Sequence, residues 1–294
     1  MSTWSITDPP AQSGRTIIVT GANSGLGRAT TAALAGAGAR VVMAVRDVSR
    51  GEQAAASIAG NTEVRELDLA DLASVRRFAA EWNEPIDVLV NNAGVMSVPK
   101  GVTKDGFELQ LGTNHLGPFA LTNLLLPHVT DRVVNLASGA HKWGEIGLDD
   151  LNWTNRRYNR LAAYGQSKLA NLLFTLELQR RLERDHSSVR TFAAHPGVAA
   201  TNLGAHSGSF LMTQLAKVVN LMAQSEEMGA LPTLYAATQD LPGASYVGPD
   251  GFGEWRGRPA LARRSAAASD VTMAQLLWDA SEQLTGVGYP ALVG

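Results

Sequence analysis

Tyr164 and Lys168 are the residues of this chain whose types and spacing most directly suggest chemistry. Positions i and i+4 share one face of a helix, so the phenol and the ammonium can lie side by side. A cation beside a phenol favours its ionised form, which predicts that the pKa of Tyr164 falls from about 10 toward neutral pH. Such a phenol can act as a general acid or base on an alcohol or carbonyl oxygen. The alternative is a surface helix with a half-buried tyrosine.

A glycine-rich cluster, Thr20–Gly27, joins the first predicted strand to the first predicted helix. Glycine allows a tight turn and close approach of the backbone to a pyrophosphate, which the helix N-terminus stabilises. A bare glycine loop is often only a turn, but this position favours nucleotide binding. Valine at Gly21 or Gly27 is expected to fill the pyrophosphate space and leave the protein folded. The predicted contacts are Gly21, Asn23, Ser24, Gly25, Leu26 and Gly27.

The second predicted strand ends in Val45-Arg46-Asp47, where an NAD-specific site would place an acidic residue against the adenosine ribose. Arg46 can instead offer a planar fork of donors to a 2′-phosphate, so NADP(H) is the expected cofactor, with NAD(H) left open. The alternative is a solvated Arg46 paired with Asp47. Asp68, beside Leu69 at the end of the third strand, either accepts from the adenine amino group or caps the following helix.

Short β-branched runs alternate with longer helical patterns along the whole chain. This alternation predicts a single-domain α/β Rossmann fold, with a doubly wound parallel sheet of about seven strands and helices on both faces. We expect an N-terminal extension over 1–14, one domain over 15–294 and a small helical substrate lobe over 199–228. Pro118 predicts a kink or boundary within a helix over Phe107–Val129.

Composition limits the function classes. The 294 residues carry a net charge of −2, which offers no basic field for nucleic acid. The absence of cysteine excludes disulfides and thiolate chemistry, and the six histidines show no metal-ligand spacing, so no metal is expected. No apolar run approaches the ~18 residues of a membrane span, and the N-terminus is polar. We therefore expect a cytoplasmic enzyme without a membrane anchor.

Further motifs lie along the chain besides Thr20–Gly27 and the pair Tyr164 and Lys168. They are Asn91–Gly94, Asn114 with Ser138, and Pro196-Gly197 followed by Thr201. In this order, the motifs resemble the classical type of the short-chain dehydrogenase/reductase family. The sequences of Thr20–Gly27, Val45–Asp47 and Tyr164–Asn171 are most similar to its retinol-dehydrogenase-like and protochlorophyllide-reductase-like branch. The chain departs from the pattern in that Ala137 replaces the first of two common serines and the cysteines of light-dependent protochlorophyllide reductases are missing.

The resemblance implies an NADP(H)-dependent oxidoreductase that interconverts a lipophilic carbonyl and alcohol by hydride transfer. It implies that Tyr164 is the general acid or base, that Lys168 tunes it and binds the nicotinamide ribose, and that Ser138 donates to the substrate oxygen. Asn114 would hold a relay water, or else satisfy backbone groups freed at the kink. The other implied cofactor contacts are Asn91, Ala93, Gly94, Pro196, Gly197, Val198 and Thr201.

Several alternatives stay open at this point. Apolar residues of the lobe suit a small lipophilic aldehyde, ketone or alcohol, although core packing would explain them equally well; they are Leu203, Phe210, Leu211, Met212, Leu215 and Met222. The resemblance implies a homodimer or homotetramer built on the helices after the fourth and fifth strands. An NADP(H)-binding regulatory or scaffold protein is the alternative function. His141 and His195 lie beside motifs, and we expect structural roles for them.

Overall fold

The computed structural model describes residues 9–197 and 224–291. Its strands form one eight-stranded sheet in the order β3-β2-β1-β4-β5-β6-β7-β8. Only the last pair is antiparallel. The strands are β1 (Thr16–Thr20), β2 (Arg40–Val45), β3 (Asn61–Glu66), β4 (Ile86–Asn91), β5 (Val129–Leu136), β6 (Arg190–Ala194), β7 (Tyr246–Pro249) and β8 (Pro259–Leu261). The order reverses between β1 and β4, which leaves a crevice at their carboxyl ends.

The sheet confirms the predicted doubly wound α/β fold and has one strand more than expected. β8 is a three-residue edge strand without a β-branched residue, so it carries no strand pattern of its own. Its conformation comes from antiparallel pairing, in which Leu261 lies opposite Val247.

Helices cover both faces of the sheet and bury two apolar clusters. One face carries α1 (Gly25–Gly36), α2 (Val48–Ala55) and α7 (Glu226–Thr238). The other carries α3 (Leu72–Ala80), α4 (Leu109–Leu111), α5 (Gly117–Leu125), α6 (Arg160–Arg184) and α8 (Val271–Thr285). Within residues 9–197 and 224–291, no helix has both the length and the apolar character needed to cross a membrane.

α7 is a helix that the sequence pattern did not predict. It is buried on almost every side and has Pro232 within it, so it lacks an amphipathic period. Its start at Glu226 removes the last residues from the predicted lobe over 199–228. The rest of that lobe, 199–223, lies outside the described residues together with the apolar side chains expected to form a substrate wall.

The long helix predicted over Phe107–Val129 is divided. A π-helical turn, Gly112–Leu116, separates α4 from α5, and β5 already begins at Val129. Pro118 lies in the first turn of α5, which confirms the predicted boundary. Because proline has no N–H, it cannot donate the α-helical hydrogen bond to the carbonyl of Asn114.

α8 packs across α5 and α6. The ring of Trp278 is 2% exposed, and its centroid lies 4.9 Å from that of Phe119 and 5.6 Å from that of Phe174. The guanidinium of Arg181 stacks 4.3 Å from the centre of the same ring. α8 therefore covers part of α6 and contacts α5 at Phe119.

Trp278→Ala is expected to lower the free energy of unfolding by about 3–5 kcal/mol, because it removes aromatic contacts and leaves a cavity. Leu276→Ala on the same helix is the matched control, since Leu276 is 45% exposed and should cost no more than about 0.5 kcal/mol. Urea unfolding of both variants measures the difference. Equal losses would contradict the packing of α8 described above.

Candidate active site

A cleft of about 590 Å³ runs along the carboxyl ends of β1 to β5, within the size range of small-molecule and cofactor sites. The structure brings most of the predicted cofactor residues to its walls: Gly21, Asn23, Ser24, Gly25, Leu26, Gly27, Arg46, Asp68, Leu69, Ala93, Gly94, Tyr164, Lys168 and Pro196. Asn91 and Gly197 are not among the lining residues, and Val198 and Thr201 lie outside the described part of the chain. Lining residues that the sequence did not single out include Asn92, Val95, Thr113 and Leu136.

The first turn of α1 presents backbone donors to the middle of this cleft, since α1 follows β1, the central strand of the five. Ser24, the N-cap, makes no side-chain capping bond, and the first turn contains no acidic residue. The leading N–H groups of a helix have no partner within the helix, so they can bind an anion. Gly21 has φ of +65°, in the left-handed region that glycine tolerates. This cradle fits a pyrophosphate.

Neighbouring atoms of the protein leave no room for a side chain at Gly27. A Cβ at Gly27 would collide with the carbonyl of Gly21 and would lie 2.5 Å from Asn92 Nδ2. A Cβ at Gly21 would lie 3.0 Å from both Cα and Cβ of Ala93, in addition to its strained φ. Valine at Gly27 would therefore displace the loop before meeting any ligand, and valine at Gly21 would be strained by its φ. That both variants stay folded remains a prediction.

The asparagines after β4 hold the sheet and loop together. Asn91 Nδ2 donates to Thr122 Oγ1 at 2.9 Å and to Asn135 Oδ1 at 2.8 Å, and its residue is 4% exposed. Asn92 Nδ2 donates to the Thr20 carbonyl at 2.8 Å. Asn91 thus supports the cleft from behind, and Asn92 joins the loop to the end of β1.

Two guanidinium groups, those of Arg46 and Arg50, line the cleft on the β2 side of α1. Arg46 is exposed and forms no ion pair within the described residues. Asp47 instead caps α2, accepting from Arg50 N at 3.1 Å, and lies 3.4 Å from Arg50 Nε. The alternative in which Arg46 pairs with Asp47 is not observed. Arg50 was missed, although the capping position of Asp47 would have placed it one turn into the helix.

Asp68 lines the cleft after β3, on the far side of β2 from α1. Its Oδ1 accepts from Ala70 N at 3.0 Å, while Asp71 caps α3 by accepting from Ala73 N at 2.9 Å. The alternative that Asp68 caps this helix is therefore wrong.

Ser138, Tyr164 and Lys168 lie together where the cleft passes β5. Ser138 follows β5 and hydrogen-bonds with Tyr164 on α6. Lys168, one turn along α6, donates from Nζ to the Leu136 carbonyl at 3.0 Å and lies 5.7 Å from the centre of the Tyr164 ring. Ser138 Oγ also accepts from Ala140 N at 3.2 Å, which starts a 3₁₀ turn over Gly139–Trp143.

Asn114 lies in the π-helical turn with its side chain fully engaged. Its Oδ1 accepts from Val95 N at 2.7 Å, and its Nδ2 donates to Val95 O and to Ser167 Oγ, both at 2.9 Å. The carboxamide thus joins the loop after β4 to α6. Its backbone carbonyl cannot receive the α-helical hydrogen bond, because Pro118 has no N–H.

The pKa of Tyr164 differs from the one predicted from its spacing to Lys168. Burial raises the pKa of Tyr164 to about 12, although the hydrogen bond with Ser138 lowers it in part. The lowering predicted from Lys168 is not found, because its ammonium bonds to the Leu136 carbonyl. Burial also lowers the pKa of Lys168 to about 8. The prediction of a depressed tyrosine pKa is therefore wrong for the protein alone.

This combination of a doubly wound sheet, a phosphate cradle and a Ser/Tyr/Lys cluster is that of a nicotinamide-dependent dehydrogenase. Residues 15–211 match the family described as short chain dehydrogenase, and the chain belongs to that family. Within it, the chain is similar to retinol dehydrogenases. Retinol dehydrogenase 13 of Homo sapiens is 45% identical over 296 residues, covering 95% of this chain and 87% of that protein. Retinol dehydrogenase 11 of Homo sapiens is 40% identical, covering 93% and 86%.

Solved structures agree with this placement. The crystal structure of an uncharacterised protein from Mycobacterium paratuberculosis has a TM-score of 0.85 and 53% identity, covering 98% of this chain and 100% of that one. A protein described as an NAD(P)-dependent gluconate 5-dehydrogenase from Beutenbergia cavernae, with bound NADP, has a TM-score of 0.60 and 26% identity, covering 79% and 92%. The described residues contain no group of three side chains suited to a metal ion.

Burial of Lys168 predicts an unusual dependence of stability on pH. Its pKa falls from 10.5 in the unfolded chain to about 8 in the native state, so between these values the unfolded chain binds more protons and stability rises with pH. Lys168→Met removes this penalty, and the Leu136 carbonyl keeps its bond from Asn171 Nδ2 at 2.9 Å. At pH 7 the variant should be more stable by up to about 3 kcal/mol.

The gain in the free energy of unfolding from Lys168→Met should shrink above pH 8 and be lost above pH 10.5. Urea unfolding of wild type and Lys168→Met, at pH 7 and near pH 10.5, measures this gain. A difference between the two proteins that stays constant with pH would contradict the burial of a charged ammonium.

Proposed function

We propose that this protein is an NADP(H)-dependent oxidoreductase that interconverts a lipophilic alcohol and its carbonyl compound. One observation carries the proposal: a single cleft is lined by Tyr164 and Lys168 toward one end and by the Arg46 and Arg50 guanidiniums toward the other. Ser138 stands behind the first end through its hydrogen bond with Tyr164. The first group suits acid–base work on an oxygen, and the second suits a phosphate.

The cofactor preference rests on the charge at the adenosine end. Arg46 has no ion-pair partner within residues 9–197 and 224–291, so its donors are available to a 2′-phosphate. Asp47 also lines this part of the cleft, but its carboxylate caps α2 and lies 3.4 Å from Arg50 Nε, so we propose that Arg46 and not Asp47 determines the preference. The bound NADP of the Beutenbergia cavernae protein supports the same preference.

The nicotinamide, when bound, supplies or accepts the hydride. Tyr164 donates the proton to the carbonyl oxygen during reduction and removes it from the alcohol during oxidation. Its raised pKa keeps the phenol protonated at neutral pH, which is the form that reduction requires. Ser138 donates from Oγ to the same substrate oxygen and stabilises the charge that develops there. Lys168 binds the ribose hydroxyls, and water on the Asn114 carbonyl returns the proton from solvent.

The substrate class rests on the relatives, which are retinol dehydrogenases. A small lipophilic aldehyde, ketone or alcohol is therefore the proposed substrate. We also propose that the protein acts in the cytoplasm, as its polar N-terminus led us to expect.

Tyr164→Phe tests the reaction. The variant keeps the ring but loses the proton that is transferred, so turnover should fall by about 10²–10⁴ while NADPH affinity changes little. Steady-state kinetics with a panel of retinoid, sterol and long-chain aldehydes measures turnover, and fluorescence titration measures affinity. Wild-type turnover in the variant would favour the NADP(H)-binding regulatory protein instead.

Arg46→Asp tests the cofactor preference. It removes a charge-assisted partner of the 2′-phosphate and adds repulsion, so the Kd for NADPH should rise far more than that for NADH. Arg28→Asp is the matched control, because it makes the same charge change at an exposed arginine that bonds Ser57 Oγ and does not line the cleft. Equal losses for both cofactors in Arg46→Asp, or a wild type that prefers NADH, would exclude this assignment.

A further inference from the structure

His141 lies three residues after Ser138, with its side chain only 1% exposed. Its Nδ1 is 2.7 Å from the Ser138 carbonyl oxygen, which can only accept, so Nδ1 must carry the proton. Its Nε2 is 3.3 Å from the backbone nitrogen of Ser265, which can only donate, so Nε2 must be unprotonated. The neighbours on both sides therefore select one neutral tautomer.

The turn that His141 belongs to is pressed against α6. A Cβ at Gly144 would collide with the carbonyl of Gly165, and a Cβ at Gly165 would lie 3.0 Å from the Ala140 carbonyl oxygen. This contact fixes the turn beside the residue that follows Tyr164. The imidazole fixes the start of the turn from the other side, through the Ser138 carbonyl. Between these two restraints, the Ser138 hydroxyl meets the Tyr164 phenol.

The surroundings of His141 keep it uncharged. Desolvation is the largest cause that lowers its pKa, and Lys142 and Arg264 lower it further. The bond to Ser138 and the carboxylate of Glu254 oppose this, with a net lowering. The Tyr246 ring packs edge-on at 5.6 Å between centroids, and the His195 ring lies on Tyr246 at 5.0 Å. At neutral pH, the tautomer required by both bonds is thus the populated form.

We propose that His141 is a positioning residue for the dehydrogenase reaction, in which its neutral imidazole holds Ser138 so that Oγ meets both Tyr164 and the substrate oxygen. This inference rests on the function proposed above. Protonation would place an Nε2 hydrogen against the N–H of Ser265, so the ring would lose that contact while Nδ1 still donates to the Ser138 carbonyl. The imidazole would then no longer be fixed from both sides behind Ser138. Activity should therefore fall at acid pH through a group that never touches the substrate.

Two substitutions separate positioning from packing. Asparagine at 141 can still donate from Nδ2 to the Ser138 carbonyl, whereas phenylalanine fills the space and cannot. His141→Phe should lower kcat by about tenfold or more, the worth of one hydrogen bond of about 1.4 kcal/mol, with KM and NADPH affinity little changed. His141→Asn should recover most of that loss. A purely structural histidine would show no such rescue in kcat.

Wild-type kcat should also fall as the pH drops through a pKa below 6.5, and His141→Asn should lack this acid limb. Trp278→Phe controls for general destabilisation, since it alters the α8 core and should leave kcat unchanged. Tyr164→Phe controls for the reaction itself. If Tyr164→Phe loses turnover and His141→Phe does not, the positioning role is excluded while the function stands. If neither loses turnover, the proposed function fails first.

A measurement without substrate completes the test and does not depend on whether the variants fold. Nitrogen-15 NMR of histidine-labelled wild-type protein should show His141 as the Nδ1–H tautomer, titrating below 6.5 or not at all before acid unfolding. An Nε2–H tautomer, or a pKa above that value, would overturn the inference.

Discussion

The geometry of the site depends on one carboxamide. Asn114 forms hydrogen bonds with both backbone groups of Val95, accepting at Oδ1 and donating from Nδ2. Its Nδ2 also donates to Ser167 Oγ. Val95 belongs to the cleft wall after β4, and Ser167 adjoins Lys168 on α6. A buried loop must satisfy its backbone groups, and here a helix side chain does so. The distance between the two walls of the cleft is thereby fixed by three hydrogen bonds.

The placement of Asn114 follows from a π-helical turn that interrupts the helix. The π-helical turn carries it inward, and Pro118 ends the turn without disrupting α5. The same irregularity places Pro118, which has no N–H, where a regular helix would donate to the Asn114 carbonyl. π-helical turns often accompany functional sites, because they place a side chain where a regular helix would not.

The order of the elements was predictable because strands and helices alternate with distinct periods. α7 and β8 were missed for one shared reason: their conformation comes from tertiary contacts, burial on all sides in one and pairing with β7 in the other. The identity of the site residues was readable from spacing. Their energetics were not, since the pKa of Tyr164 depends on burial and on which acceptor Lys168 bonds. The role of Gly27 likewise depended on a neighbour, Asn92, that is distant in sequence.

Trp278 and the rest of α8 have a further consequence for assembly. Part of the surface of α5 and α6, the helices on which a second subunit was expected, is already packed in cis against Trp278. An intramolecular partner has an effective concentration that dilution cannot change. The packing of α8 on these two helices is therefore independent of protein concentration.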